Sequence, residues 1–379
     1  MQDGGGCGHE SRMTRFAPIP ASLPSTIPFV GPETLERRRG QPFGARLGAN
    51  ENGFGPSPRA IQAMRDAVPE IWKYGDAPSH DLTNALAAHL GVRVDNLVIG
   101  EGVDGLLGVL VRLMIGQGDV VVTSEGAYPT FNYHVTGFGG VLHKVPYRDD
   151  HEDPQALIEA AHKTGSRMVY LSNPDNPMGS WHSGKVIEAM LDQLPAGCLL
   201  LLDEAYIELA PQEAVPDIDA DDPRVIRMRT FSKAYGLAGA RIGYAIGAPD
   251  LIAGFDRIRN HFGVNRIAQA GALAALADTE WLAHVQDQVA QSRDRIGQIA
   301  RQNGLRALPS ATNFVAVDTG YDGAYAANLV KALEDRGVFI RMPGVAPLNR
   351  CIRISCGPAD EMDLLSVVLP KALDELNAG

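Results

Sequence analysis

Seven short apolar runs constrain this chain more than any other feature: LVI at 97–99, VVVT at 120–123, VLHKV at 141–145, RMVYL at 167–171, CLLLL at 198–202, RVIRM at 224–228 and RIGYAI at 241–246. A strand with one wet face alternates apolar and polar residues. These runs are apolar nearly throughout and are separated by helical stretches, so both their faces must be covered. The pattern predicts an α/β fold, with a mostly parallel sheet between helices as the large domain. A helix-rich stretch follows from about 249 to 305. NFVAVD, GVFIRM and RCIRISC then interleave with helices near 323–336 and 359–376, which predicts a smaller C-terminal α/β domain. No repeat at solenoid spacing interrupts this plan.

In an open sheet of this kind ligands bind beyond the carboxyl ends of the strands. Four such junctions are unusual: GEGVDG at 100–105, SNPDNPMG at 172–179, DEAY at 203–206 and TFSKAYGLAGAR at 230–241. Lys233, the hydroxyls of Thr230 and Ser232, and Arg241 could together hold a phosphorylated cofactor and its aldehyde. Taken alone, Lys233 would read as a solvated loop lysine. Asp203 changes the weighting, because it closes a strand buried on both sides, where a carboxylate is costly unless a cation meets it. A pyridinium nitrogen would answer that need and could then accept electrons from a substrate α-carbon. The amides of GEGVDG, ahead of a helix, suit a phosphate, although glycines at a strand end equally mark a plain tight turn. Asn176 could donate to a ring oxygen, or its prolines could simply shape a turn.

GSWHSGK at 179–185 imitates the Gly-x4-Gly-Lys part of a phosphate-binding loop, and LLLLDE imitates the acidic strand of an ATPase. Val186 stands where a magnesium-binding hydroxyl is needed, and the prolines of SNPDNP separate the loop from its strand, so an ATPase is rejected.

With 34 Lys and Arg against 45 Asp and Glu, the net charge of −11 offers no general attraction to nucleic acid or anionic lipid. No apolar run is long enough to span a bilayer and no secretory signal opens the chain, so a cytoplasmic location is expected. Cys7, Cys198, Cys351 and Cys356 form no CxxC pair. Neither disulfides nor a metal site are expected, and Cys198 reads as a small core residue. Residues 1–15 read as a disordered leader. Residues 16–58, rich in proline and glycine, read as an extended arm that borrows its packing, as arms lying on a partner subunit do.

From Ala49 to Gly357 the motifs NENGFGPSP, KYGDAPSHDL, GEGVDG, YPTFNYH, NPDNPMG, LDEAY, TFSKAYGLAGARIGYA, PSATNF and RISCG resemble the fold-type-I pyridoxal-phosphate aminotransferases, in particular the histidinol-phosphate aminotransferase branch. The resemblance implies that Lys233 holds the cofactor as a Schiff base and shuttles protons. It implies that Asp203 partners the pyridine nitrogen, and that Asn176 and Tyr206 donate to the ring hydroxyl. Thr230, Ser232, Arg241 and the amides of Gly102, Val103 and Asp104 would hold the phosphate, helped by Tyr74 of a second subunit in a homodimer. Phe131 would stack on the cofactor ring. Arg353 would receive the substrate carboxylate or phosphate, with Arg341 as a second cation and Asn176 and Phe29 beside them.

Four positions depart from the family pattern: Gly53 in place of proline, Met178 in place of threonine, Gly105 in place of an acid, and Phe29 in place of the usual tyrosine near the substrate phosphate. The implied domains are a leader and arm over 1–48, a cofactor-binding domain over 49–285 and a small domain over 286–379. The implied reaction is ping-pong transamination between L-histidinol phosphate, or a related or aromatic amino acid, and 2-oxoglutarate. A decarboxylase of phosphorylated amino acids on the same fold is the nearest rival. A non-catalytic binding module is the rival of another class.

Overall fold

The computed structural model describes residues 15–25 and 30–378. Cys7, Phe29 and the expected leader, save Arg15, lie outside the described residues. The strands in chain order are β1 (Ala45–Arg46), β2 (Leu97–Gly100), β3 (Val120–Ser124), β4 (Val141–Val145), β5 (Met168–Ser172), β6 (Leu199–Asp203), β7 (Val225–Thr230), β8 (Gly243–Gly247), β9 (Arg306–Ala307), β10 (Phe314–Asp318), β11 (Val338–Phe339) and β12 (Cys351–Ser355). Each of the seven apolar runs holds one of β2 to β8. They form one sheet in the order β2-β8-β7-β6-β5-β3-β4. All neighbours run parallel except β8, which is antiparallel to both β2 and β7.

Side chains of successive residues leave the sheet on opposite faces, and both faces are covered except at the edge strand β4, where Val141 is exposed. Tyr170, Leu199, Leu201 and Met228 pack under the helices Gly102–Met114 and Pro129–Gly137. Val169, Leu171, Leu200 and Leu202 pack under the helices Pro154–Thr164 and Gly184–Asp192, with Cys198 buried among them. At about 25 cal/mol per Å² of apolar surface, this two-sided burial is the main favourable term in the fold.

β12, β10 and β9 form a second, antiparallel sheet. The helices Gly323–Asp335 and Ala359–Ala378 share a core with it. Only Val338 and Phe339 of GVFIRM are strand, and they pair in parallel with β1. The segment before the large sheet is therefore stitched to the C-terminal part of the chain.

That segment is not extended throughout. Pro18 and Pro32 each open a short helix, Pro18–Ser22 and Pro32–Arg39, at the first position, where a proline leaves no bond unmade. The 24-residue helix Thr279–Gln302 runs across position 285 and contributes Val285, Val289 and Ile296 to the C-terminal core. Among the described residues no helix is long and apolar enough to cross a membrane.

Candidate active site

The carboxyl ends of β5, β6 and β7 open onto a cavity of about 340 Å³. Lys233, Asp203, Tyr206, Asn176, Ser232 and Arg241 line it, together with Val103, Asp104, Thr230, Arg341 and Arg353 and with Asn50 and Tyr128. Lys233 lies in the loop after β7, with Phe231 anchored in the core beneath it. Gly236 ends the turn with φ 70, and a Cβ there would stand 2.7 Å from the backbone of Gly55. Only glycine lets the loop close on that segment. The Lys233 amine donates to the Asn50 carbonyl at 3.1 Å and sits 5.5 Å over the Tyr206 ring.

Asp203 ends β6 and is buried. Its oxygens accept from the Tyr170 hydroxyl at 2.8 Å and the Ala205 amide at 3.0 Å. Burial dominates over these two bonds and pushes the carboxyl up to about 6. Among the described residues it has no ion-pair partner, so a cation is the group it lacks.

The helix Gly102–Met114 begins at the cavity with no side-chain cap on its first amides. Gly102 has φ 77, and a Cβ there would come within 2.8 Å of the Arg241 guanidinium. The glycine leaves room for that guanidinium against the helix N-terminus. Arg241, itself at φ 56, donates to the Ala238 carbonyl at 2.9 Å. The Thr230 hydroxyl donates to Ser232 Oγ at 2.9 Å and accepts the Ser232 amide at 3.0 Å. Free amides, two hydroxyls and a guanidinium make a phosphate cradle. The Asp104 carboxylate is taken up by the Tyr128 hydroxyl at 2.9 Å, so that residue can offer an anion only its amide.

Arg353 and Arg341 face the cavity from the C-terminal part. Their backbones are joined by an isolated antiparallel bridge. Arg353 donates to Asn176 Oδ1 at 2.6 Å and lies over the Phe314 ring, and its Nε has no partner. Arg341 donates to the Val30 carbonyl at 2.6 Å. Burial alone lowers Arg341, and it is the largest influence lowering Arg353. Neither guanidinium, nor that of Arg241, ion-pairs with a carboxylate among the described residues. In a chain with an excess of acids, three such arginines on one cavity await an anion.

Three expected residues are not on this wall: Phe131, Tyr74 and Gly102, the last of which stands behind it against Arg241. Phe131 is fully buried and stacks on Tyr170, centroids 4.6 Å apart. It is a core residue, because the first turn of its helix points it down at the sheet, and Tyr128, just ahead of that helix, is the aromatic that meets the cavity. Tyr74 is 76% exposed, lies beside Phe262 and does not line this chain's cavity. Lys185 of GSWHSGK is exposed and pairs with Glu188, while Gly184 is pressed against Val215, so no cradle exists there.

Sequence reasoning missed Asn50, whose left-handed φ of 54 is one that asparagine tolerates better than most residues. It also missed Asp175 and Glu152, a buried acid pair behind the Asn176 loop. Burial pushes both carboxyls up. Tyr147 and the Met178 amide serve Asp175, and Ser124 and the Ser172 amide serve Glu152.

A cation-seeking acid, a lysine on the same cavity and a phosphate cradle, set at the strand ends of an α/β sheet, fit a phosphorylated pyridine aldehyde. The chain belongs to the class I and II aminotransferases, whose family model matches residues 44–368. Within that family it is similar to histidinol-phosphate aminotransferases. The one from Moorella thermoacetica is 33% identical over 340 residues, covering 89% of this chain and 87% of that protein. Histidinol-phosphate aminotransferase 1 from Mesorhizobium japonicum is 36% identical, covering 87% of this chain and 90% of that protein. The crystal structure of histidinol-phosphate aminotransferase from Sinorhizobium meliloti in complex with pyridoxal-5'-phosphate superposes with a TM-score of 0.94 at 56% identity, covering 97% of this chain and 99% of that one.

Proposed function

We propose that this chain is a pyridoxal-phosphate-dependent aminotransferase of the histidinol-phosphate type. Its donor is L-histidinol phosphate or a related or aromatic amino acid, and its acceptor is 2-oxoglutarate. It works in the cytoplasm as a homodimer in which Tyr74 reaches the neighbouring site. The same reading divides the chain into an arm over 1–48, a large domain over 49–285 and a small domain over 286–379, with the helix Thr279–Gln302 joining the last two.

One observation carries the reading: a lysine, a buried carboxyl without a cation and three arginines without a carboxylate share one cavity. The cofactor, when bound, supplies an electron sink for the pair left as the substrate α-C–H bond breaks. Lys233 Nζ takes the α-proton from the donor and, in the second half of the cycle, delivers a proton to the α-carbon of the acceptor, and the Asn50 carbonyl holds that amine in place. Asp203 keeps the ring nitrogen protonated. Thr230, Ser232, Arg241 and the amides of Gly102, Val103 and Asp104 bind the phosphate. Asn176 and Tyr206 donate to the ring oxygen, and Arg353 and Arg341 orient the anionic end of the substrate. Donor and acceptor use the same site in turn, which gives ping-pong kinetics.

The test is the visible spectrum of protein loaded with pyridoxal phosphate, recorded before and after each of a panel of amino donors. A band that bleaches with L-histidinol phosphate and returns with 2-oxoglutarate is the expected result. Carbon dioxide release without any acceptor would instead identify a decarboxylase. Failure to take up the cofactor would overturn the reading.

A further inference from the structure

Asn50 is buried in left-handed backbone, and every one of its polar groups is engaged. Its amide donates to Ser355 Oγ at 3.0 Å. Its carbonyl accepts from Lys233 Nζ at 3.1 Å and from Asn313 Nδ2 at 3.0 Å. Its side-chain oxygen accepts from Ser355 Oγ at 3.2 Å, and its side-chain nitrogen donates to the Tyr206 hydroxyl at 3.2 Å. Tyr206 receives a second amide, Asn176 Nδ2, at 3.4 Å. A phenol has one proton to give. With two amides donating to its oxygen, the hydroxyl is left to direct that proton into the cavity.

We propose that Asn50 is a positioning residue of the active site, fixing Tyr206 as a donor into the cavity and holding the Lys233 amine beside it, with Ser355 and Asn313 as its anchors. The proposal rests on the reading of this cavity as a pyridoxal-phosphate site. The residue type follows from the geometry. Only glycine, asparagine and aspartate take up left-handed backbone readily. Glycine has nothing to give Tyr206, and aspartate has no donor. Ser355 lies two residues beyond Arg353 on β12, so the strand that presents an arginine to the substrate also sets the residue that holds Lys233 and Tyr206.

The experiment compares Asn50→Gly, Ser355→Ala, Tyr206→Phe and the double variant Asn50→Gly with Tyr206→Phe, each loaded with pyridoxal phosphate. Asn50→Gly keeps the backbone conformation and the carbonyl that meets Lys233, and deletes only the amide. The readouts are the pH midpoint of the visible band, kcat and KM separately, and the melting temperature. An amide donating to a hydroxyl strengthens it as a donor, and a donor favours the charged form of the oxygen it faces.

Asn50→Gly should therefore move the midpoint up by about half a pH unit, a factor of about three. It should lower kcat about fivefold, with KM changed less than about twofold. Ser355→Ala should move the midpoint the same way by less. In the Tyr206→Phe background Asn50→Gly should add no further shift. An unmoved midpoint with a lowered melting temperature would show Asn50 to be structural only and overturn the proposal, as would an undiminished effect in the Tyr206→Phe background. Should Asn50→Gly not fold, Ser355→Ala decides alone, an unmoved midpoint counting against the proposal. Absence of the band in the unsubstituted protein is a different result, and it removes the functional reading together with this one.

Discussion

Buried at the end of β6, the Asp203 carboxyl has two neutral donors and no cation, and this makes it a liability to the protein without its cofactor. Its ordinary value is 3.8 and burial lifts it to about 6. Below pH 4 it is protonated whether the chain is folded or unfolded and costs nothing. As pH rises from about 4 through 6 the unfolded chain releases this proton before the folded one does, so stability is lost across that window and stays lost above it. The loss is on the order of 2–3 kcal/mol. Asp203→Asn should therefore raise the melting temperature of the cofactor-free protein at pH 7.5 and only about a third as much at pH 4.5, because the Tyr170 hydroxyl can turn to accept from the new amide. An equal change at both pH values would contradict the account.

Arg353 poses the mirror problem, a half-buried cation whose Nε is buried without a partner. Arg353→Met should leave the cofactor-free protein no less stable, while KM for an anionic donor rises about tenfold to a hundredfold, as steady-state kinetics would show.

At the scale of elements, the helix Gly102–Met114 and the loop after β7 meet where Gly102 makes room for Arg241. Gly102→Ala would strain a backbone at φ 77 and push the guanidinium off the helix N-terminus. Cofactor affinity, followed by loss of the visible band on dilution, should fall about tenfold, the worth of one hydrogen bond to a charged group.

β2 to β8 were legible in the sequence because strands covered on both faces are apolar nearly throughout, and that pattern is local; only the edge strand β4, with its exposed Val141 and Lys144, is covered less. The helix Pro32–Arg39 was not, because proline reads as a breaker until its place at a first helical position is known. Phe131 and Tyr128 lie three residues apart in one motif, and only the path of the chain decides which meets the core and which the cavity. Asn50 was illegible for a different reason. Its role depends on Ser355, 305 residues away, and on a left-handed backbone that no spacing announces.

Across the whole molecule, the exposed Tyr74 and Phe262 rings lie against each other while the cavity lacks any contribution from Tyr74. If the neighbouring subunit receives that residue, two defective variants should repair each other. Lys233→Ala and Tyr74→Ala, unfolded together and refolded as a mixture, would give hybrids in which one site carries both lesions and the other none. Activity of the mixture at limiting cofactor should then reach about a quarter of the unsubstituted level. A mixture no more active than the Tyr74→Ala protein alone would place Tyr74 outside the site.

The pairing of β1 with β11, and of Asn50 with Ser355, also sets an order of events during synthesis. The large sheet has all its strands once residue 247 has left the ribosome, with Lys233 and Asp203 already at its rim. The segment that steadies the lysine has been waiting since residue 50, and its partners are among the last to be made. A nascent chain thus carries its reactive amine on a finished scaffold before anything holds that amine in register, and a prematurely terminated product would be a sheet with an unaimed lysine.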